Sequence, residues 1–492
     1  MTQINVLTVC KASQGEKGRT FQERQKLILK TLGMRRILGI VLFFLIFQVW
    51  TDSLEASQEE ASQEIEVLSP PNVLLIMVDD LGYGDLSGAG AQDLRTPAID
   101  ALVKLGIWFN QFYANSPVSS PTRAALLTGR YPDLVGVPGV IRTESENSWG
   151  YLVPEVSLLP ELLQNAGYHT ALIGKWHLGL ESPNTPTERG FQFFHGFLAD
   201  MMDDYYNHYR RGVNYMRLNT RTIEPIGHAT DLFTQWAIDY LDKRKESNQP
   251  FFLLLSYNAP HTPIQPPPLS LERVKQRGNE LTEDRAKLVA LIEHLDEGIG
   301  RVIKILGDNQ QDGNTVVIFV SDNGGDIRVG ANCGLLRGGK RDLYEGGIRV
   351  PMAVVWPGKI RPGSSSRQLA IMMDLFPTIC AIAGVKITQD FDGVSLLGTL
   401  VGQMAPPLER ELFWMRREGG RRHEGQDYYA VRRGYWKLMQ NSPFERYKLF
   451  NLRDDPLEEH DLVDQEPKVR ASLSQALRRQ IQKAGAIPWQ PR

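Results

Sequence analysis

Asn72-Val73-Leu74-Leu75-Ile76-Met77-Val78-Asp79-Asp80 is the stretch that decides the fold. Val73 to Val78 is an unbroken apolar run, and it stops at two adjacent carboxylates. A strand with one wet face alternates apolar and polar side chains, whereas this run has no polar position to turn toward water. It therefore predicts a strand buried on both faces, the kind found in parallel sheets covered by helices. The same texture returns in Phe251-Phe252-Leu253-Leu254-Leu255-Ser256 and in Thr315-Val316-Val317-Ile318-Phe319-Val320. Between those two, Leu288, Leu291, Ile292, Leu295, Ile299, Val302, Ile303 and Leu306 fall at helical spacing and predict an amphipathic helix. Strand alternating with helix predicts an α/β sandwich with a mainly parallel sheet. Each predicted strand ends in polar residues: Asp79-Asp80, Asn258-Ala259-Pro260-His261 and Ser321-Asp322-Asn323. In open α/β sheets the ligand lies beyond the carboxyl ends of the strands, so three such ends point to one site.

Outward from this centre the chain divides by texture. Residues 1–33 are a polar, basic extension. Met34-Arg35-Arg36 followed by the apolar run Ile37 to Trp50 reads as a signal peptide over 34–57. That run is shorter than the roughly 20 residues of a membrane span. Export to the periplasm or the medium is expected, with no permanent membrane association. An uncleaved anchor is the alternative, and a translation start at Met34 would make the signal an ordinary one. Residues 58–70, rich in Glu, Ser and Gln, read as a linker. The main domain is expected over 71–385 and a C-terminal subdomain over 386–492. In the latter, Tyr428–Arg432, Trp436–Met439 and Tyr447–Leu452 read as short strands, and Lys468 to Ala484 as a terminal helix.

A chain of 492 residues with 23% charged and 42% hydrophobic residues has the composition of a soluble globular protein. Its net charge of −2 argues against a nucleic-acid binder. Cys10, Cys333 and Cys380 are too few and too scattered for a disulfide framework or a zinc site.

The most informative segment is Ser119-Ser120-Pro121-Thr122-Arg123-Ala124-Ala125-Leu126-Leu127-Thr128-Gly129-Arg130. A Ser precedes a Pro able to open a helix, and an Arg follows on the same turn. A helix N-terminus with an Arg can stabilise an anion and activate an oxygen nucleophile. A plain N-cap Ser fits the same residues equally well. Asp79, Asp80, Asp322 and Asn323 offer four oxygen ligands without His or Cys, which suits Ca²⁺ or Mg²⁺ rather than zinc. In Gly174-Lys175-Trp176-His177-Leu178-Gly179, Lys175 and His177 lie two residues apart, on one side of an extended segment, facing one pocket. His261 stands between Pro260 and Pro263, and Lys340 sits on a glycine-rich loop. His169, His195, His228 and His294 carry no motif, and His208 is placed near a cleft by position alone.

Together these segments resemble the type I sulfatases, a formylglycine-dependent family within the alkaline phosphatase superfamily that includes arylsulfatases and N-acetylgalactosamine-6-sulfatases. The family signature is Cys or Ser, any residue, Pro, any residue, Arg, then Ala, Leu-Leu and Thr-Gly-Arg. Ser119 takes the position that is oxidised to formylglycine, and Arg123 the position that holds it. The resemblance implies a large mixed sheet between helices with a small antiparallel C-terminal sheet. It implies Ca²⁺, in preference to Mg²⁺, on Asp79, Asp80, Ser119, Asp322 and Asn323. It implies sulfate contacts from Lys175, His261 and Lys340, and a proton-moving His177. Ser in place of Cys resembles the bacterial members that a radical-type sulfatase maturase oxidises. The expected activity is hydrolysis of sulfate esters on a sulfated carbohydrate. Two rivals stay open: a phosphate-ester hydrolase using unmodified Ser119, and a non-catalytic binder of sulfated glycans. Loops 131–155 and 195–230 should shape the cleft, with Trp149, Tyr205, Tyr206 and Arg210 suited to sugars and anions.

Overall fold

The computed structural model describes residues 70–278, 280–403, 410–418, 427–442 and 444–488. The expected polar extension, signal peptide and all but the last residue of the linker lie outside the described residues. Among the described residues no helix is long and apolar enough to cross a membrane.

The main sheet has ten strands. They are β1 (Asn72–Val78), β2 (Ile107–Phe109), β3 (His169–Lys175), β4 (Phe193–Phe197), β5 (Met216–Leu218), β6 (Arg221–Thr222), β7 (Phe251–Ser256), β8 (Thr315–Ser321), β9 (Met352–Val355) and β10 (Ser364–Ser366). Their order is β10-β2-β9-β8-β1-β7-β3-β4-β5-β6. The centre, β8-β1-β7-β3-β4, is parallel throughout, and antiparallel pairs appear only toward the edges. β1 thus sits mid-sheet, and its alternate residues serve two separate cores. Val73, Leu75 and Met77 pack into one, while Leu74, Ile76 and Val78 pack into the other. An unbroken apolar run is what two apolar faces require.

Helices cover both faces. On the first core lie α1 (Ser119–Thr128), through Ala124, Leu126 and Leu127, and α2 (Leu159–Asn165). On the second lie α3 (Ala229–Arg244) and the long α4 (Glu283–Asp308), with Leu288, Leu291, Ile292, Leu295, Ile299 and Val302 all buried. Thr282 caps α4, its side chain accepting from the Arg285 amide, and Glu283 and Asp284 favour its positive end.

The C-terminal part forms a four-stranded antiparallel sheet in sequential order: β11 (Glu411–Arg417), β12 (Asp427–Arg433), β13 (Trp436–Gln440) and β14 (Lys448–Asn451). The terminal helix, α5 (Pro467–Ala484), packs on it through Leu473, Ala476 and Leu477. Lys437 joins this sheet to the main domain. Its fully buried ammonium lies 3.0 Å from Glu345 and 2.8 Å from Glu458. Cys333 and Cys380 are free, buried thiols.

Candidate active site

The carboxyl ends of β1, β3, β7 and β8 and the first turn of α1 bring the predicted site residues together. Asp79 follows β1 directly, and its amide donates to the Ala259 carbonyl at 3.2 Å, which ties it to the end of β7. Asp80 takes φ 71°, a left-handed turn that points its side chain away from the strand line. Asp322 and Asn323 follow β8, and the Asn323 amide donates to Asp80 at 2.7 Å.

Ser119 is the first residue of α1, and Val118 holds the cap position. The N-cap reading is thereby excluded. The Ser119 hydroxyl donates to Asp79 at 2.9 Å and also reaches Asn323 Oδ1 at 3.3 Å. One helical turn on, Arg123 spreads its guanidinium over three strand ends, with Nη1 donating to the Lys175 carbonyl of β3 at 3.4 Å. It donates to Asp322 from Nε at 3.1 Å and Nη2 at 2.8 Å, and to Ser256 Oγ at 2.6 Å. Lys175 ends β3 and pairs with Asp79, while Lys340 donates to Asp80 at 2.6 Å. His261 Nε2 lies 3.6 Å from the same Asp80 oxygen.

His177 reaches the cluster by a different route from the one the spacing suggests. The strand ends at Lys175, and His177 adopts φ 62°, so the two side chains do not share one side of an extended segment. The turn instead carries the imidazole to the Ile141 carbonyl, 2.9 Å from Nε2. A carbonyl only accepts, so Nε2 holds the proton. Nδ1 is buried and has no hydrogen-bond partner among the described residues. Burial, reinforced by Lys175 and Arg123, keeps His177 well below the ordinary histidine range.

The cluster sets acids against cations around a group of atoms able to hold a metal ion. Asp79, Asp80 and Asp322 face three fixed cations, Arg123, Lys175 and Lys340. Burial alone would raise Asp79, but Lys175, His261, Arg123 and Lys340 outweigh it and hold its carboxyl well below the usual range. Asp322 goes the other way. Burial and repulsion from Asp79 push it up to about 7 against the pull of Arg123 and Lys175. The two carboxylates are therefore unequally served: the cations outweigh burial at Asp79 and do not at Asp322. Ligand atoms of Asp79, Asp80 and His261 lie within 4.8 Å of one another, and Asp322 and Asn323 hydrogen-bond into the same group. Carboxylate and amide oxygens around one centre suit a hard ion. With balanced side-chain charges, a divalent ion would leave the site net positive and ready for an anionic ester.

Several contributors carried no motif. Ser256, the one polar residue of its strand, anchors Arg123. Ser321 accepts from the Leu81 amide at 3.1 Å and donates to the Asn323 carbonyl at 2.9 Å, which fixes both acid-bearing turns. Glu418, just past β11, accepts from Arg416 at 3.1 Å and from Arg142 at 2.8 Å. Arg142 follows the Ile141 that orients His177, and Arg416 holds the carbonyl of Arg341, next to Lys340, at 3.0 Å. The C-terminal sheet thus braces the loop that orients His177 and the loop that carries Lys340. Two cleft expectations fail. Tyr205 is 1% exposed, with its hydroxyl given to the His261 carbonyl at 2.8 Å, and Arg210 is held by Asp200 and Asp203. His208 is also buried, with Nε2 2.9 Å from the Gly227 carbonyl.

Comparison with known proteins agrees with this geometry. The family model described as Sulfatase matches residues 71–385, and that of N-sulphoglucosamine sulphohydrolase, C-terminal, matches residues 338–485. N-acetylgalactosamine-6-sulfatase of Sus scrofa is 34% identical over 373 residues, 70% of this chain and 69% of the relative. Arylsulfatase A of Bos taurus is 30% identical over 463 residues, 83% of this chain and 87% of the relative. The crystal structure of Ps i-CgsB in complex with k-i-k-neocarrahexaose superposes with a TM-score of 0.77 at 30% identity, covering 84% of this chain and 93% of that one. The chain belongs to the sulfatase family of the alkaline phosphatase superfamily, and it is a sulfuric ester hydrolase.

Proposed function

We propose that the chain removes sulfate from a sulfated carbohydrate, with a nucleophile made by oxidising Ser119 to formylglycine. The observation that carries this reading is the aim of the Ser119 side chain, which leaves the helix cap and lies against Asp79 and Asn323. Formylglycine supplies, as its hydrate, one hydroxyl to attack sulfur and a second whose deprotonation releases sulfate. Asp79, Asp80, Asp322 and Asn323 would hold Ca²⁺, which offsets charge on the sulfate oxygens and lowers the pKa of a bound hydroxyl. Lys175 and Lys340 flank the acids and bind the ester's anionic oxygens, as pre-placed cations that need no reorganisation during reaction. Arg123 keeps Asp322 in line to take a proton from residue 119. His261, beside Asp80, protonates the departing alcohol. His177, with a bare Nδ1, accepts the proton that frees sulfate.

The carbohydrate class rests on the relatives' names and on the neocarrahexaose bound to Ps i-CgsB. The maturation partner is a radical-type maturase that accepts Ser, and the segment 34–57 directs export to the periplasm or beyond. Turnover of an aryl sulfate and the matching aryl phosphate by matured protein tests the reading. Sulfate turnover should dominate, and preference for the phosphate would favour a phosphatase using unmodified Ser119.

A further inference from the structure

At the sheet edge, β10 pairs with β2 on one side only. Two cavities, of about 630 Å³ and about 470 Å³, share Ser364 and Ser365 of this strand and so form one groove across the edge. Lys359, Arg361 and Arg367 line the first, and Lys104, Trp108 and Tyr83 bound the second. None belongs to the catalytic cluster. All four cations are exposed, and none forms an ion pair with a described residue. The one acid in the lining, Asp100, is occupied by Ser87 Oγ at 2.7 Å, the Gly88 amide at 2.9 Å and Thr96 Oγ1 at 3.2 Å. By contrast, Arg285 is held by Asp85 and Asp93. On a chain of net charge −2, this edge is a local positive excess.

Lysines beside an edge strand can simply discourage strand pairing. That role needs neither a cavity nor the half-buried Tyr83 and Trp108 rings, which meet edge to face at 5.9 Å. Cations around a groove with an aromatic wall are what a sulfated sugar chain needs: charge for its sulfates and a flat apolar surface for its rings. We propose that this groove is a second, non-catalytic site that holds a sulfated polysaccharide by its sulfate groups. The inference rests on the reading that the substrate is a sulfated carbohydrate. A polymer held there would keep the enzyme on the chain between turnovers.

Affinity electrophoresis of the full chain tests it, with dextran sulfate in the gel, plain dextran as the uncharged control and single-stranded DNA as an unsulfated polyanion. The protein should be retarded by dextran sulfate, less by DNA and not by dextran. Replacing the trio (Lys359→Ala, Arg361→Ala, Arg367→Ala) should raise the apparent Kd about tenfold, the product of three exposed ion contacts. Melting temperature and aryl sulfate turnover should stay unchanged. Arg361→Glu alone gives an independent reading at a side chain with no partner among the described residues. Unchanged retardation of both variants overturns the proposal, as does equal retardation by DNA and dextran sulfate. Sulfate release from a polymer with unchanged retardation removes the groove and keeps the substrate reading. Lost retardation with no sulfate release from any polymer does the reverse.

Discussion

Arg123→Lys keeps the charge beside Asp322 and removes the fork that distributes it. The guanidinium makes two bonds to Asp322, at 3.1 and 2.8 Å, and one to Ser256 at 2.6 Å, from a side chain only 4% exposed. A lysine ammonium on a shorter reach can replace one of the three. One charge-assisted bond is then lost, worth about 1.5–3 kcal/mol, and one to a neutral hydroxyl, worth about 1 kcal/mol. If that sum of about 2.5–4 kcal/mol is expressed in the transition state, kcat/KM falls by about two to three orders of magnitude. The assay is aryl sulfate turnover, scaled to the fraction of residue 119 found oxidised by mass spectrometry, because Arg123 lies in the segment a maturase must read. A variant within about threefold of the parent, per oxidised site, would refute the idea that the fork places Asp322.

Four further outcomes follow from the same geometry. His261→Ala should slow esters of poor alkoxide leaving groups far more than those of activated aryl alcohols, and equal losses would remove its acid role. Chelation should abolish turnover and lower the melting temperature, with Ca²⁺ but not zinc restoring both; at 100 times its Kd the ion adds about 2.7 kcal/mol. Lys437→Met strands Glu345 and Glu458 in the interior and should cost about 3–5 kcal/mol in denaturant unfolding, and a loss under 1 kcal/mol would contradict the account. Glu418→Gln should lower stability near neutrality. Burial raises that carboxyl, but Arg416 and Arg142 overcome it and hold it at about 2, against an ordinary 4.5. Its contribution is therefore complete above pH 4.5 and is lost as pH falls toward 2, so the gap between parent and variant should narrow over that window. A gap constant from pH 6 to pH 3 would contradict the assignment.

What the sequence makes legible is whatever one strand or one turn encodes. The double burial of β1 is written in Val73 to Val78, because no polar residue interrupts the run. The site is legible because the sheet gathers strand ends, and the residues after each end are acids, amides and histidines. Contacts fixed by packing are not legible. Nothing local to Tyr205 says that its hydroxyl serves the His261 carbonyl, or that Arg210 is taken by Asp200 and Asp203. The bend at His177 hides behind an i, i+2 spacing that an extended chain would also give. Glu418 lies 276 residues from Arg142, so its brace on the His177 loop follows only from how the small sheet docks. The uneven carboxylates behave likewise: Asp79 and Asp322 are similar in sequence and are driven apart by which cations face each.

The most direct test is the mass of the tryptic peptide Leu105 to Arg123 from protein made in a host with a Ser-oxidising maturase. The account predicts a species two hydrogens lighter than the encoded peptide and reactive toward hydrazines, its abundance tracking aryl sulfate turnover across preparations. Full turnover from protein carrying only unmodified Ser119 would contradict it.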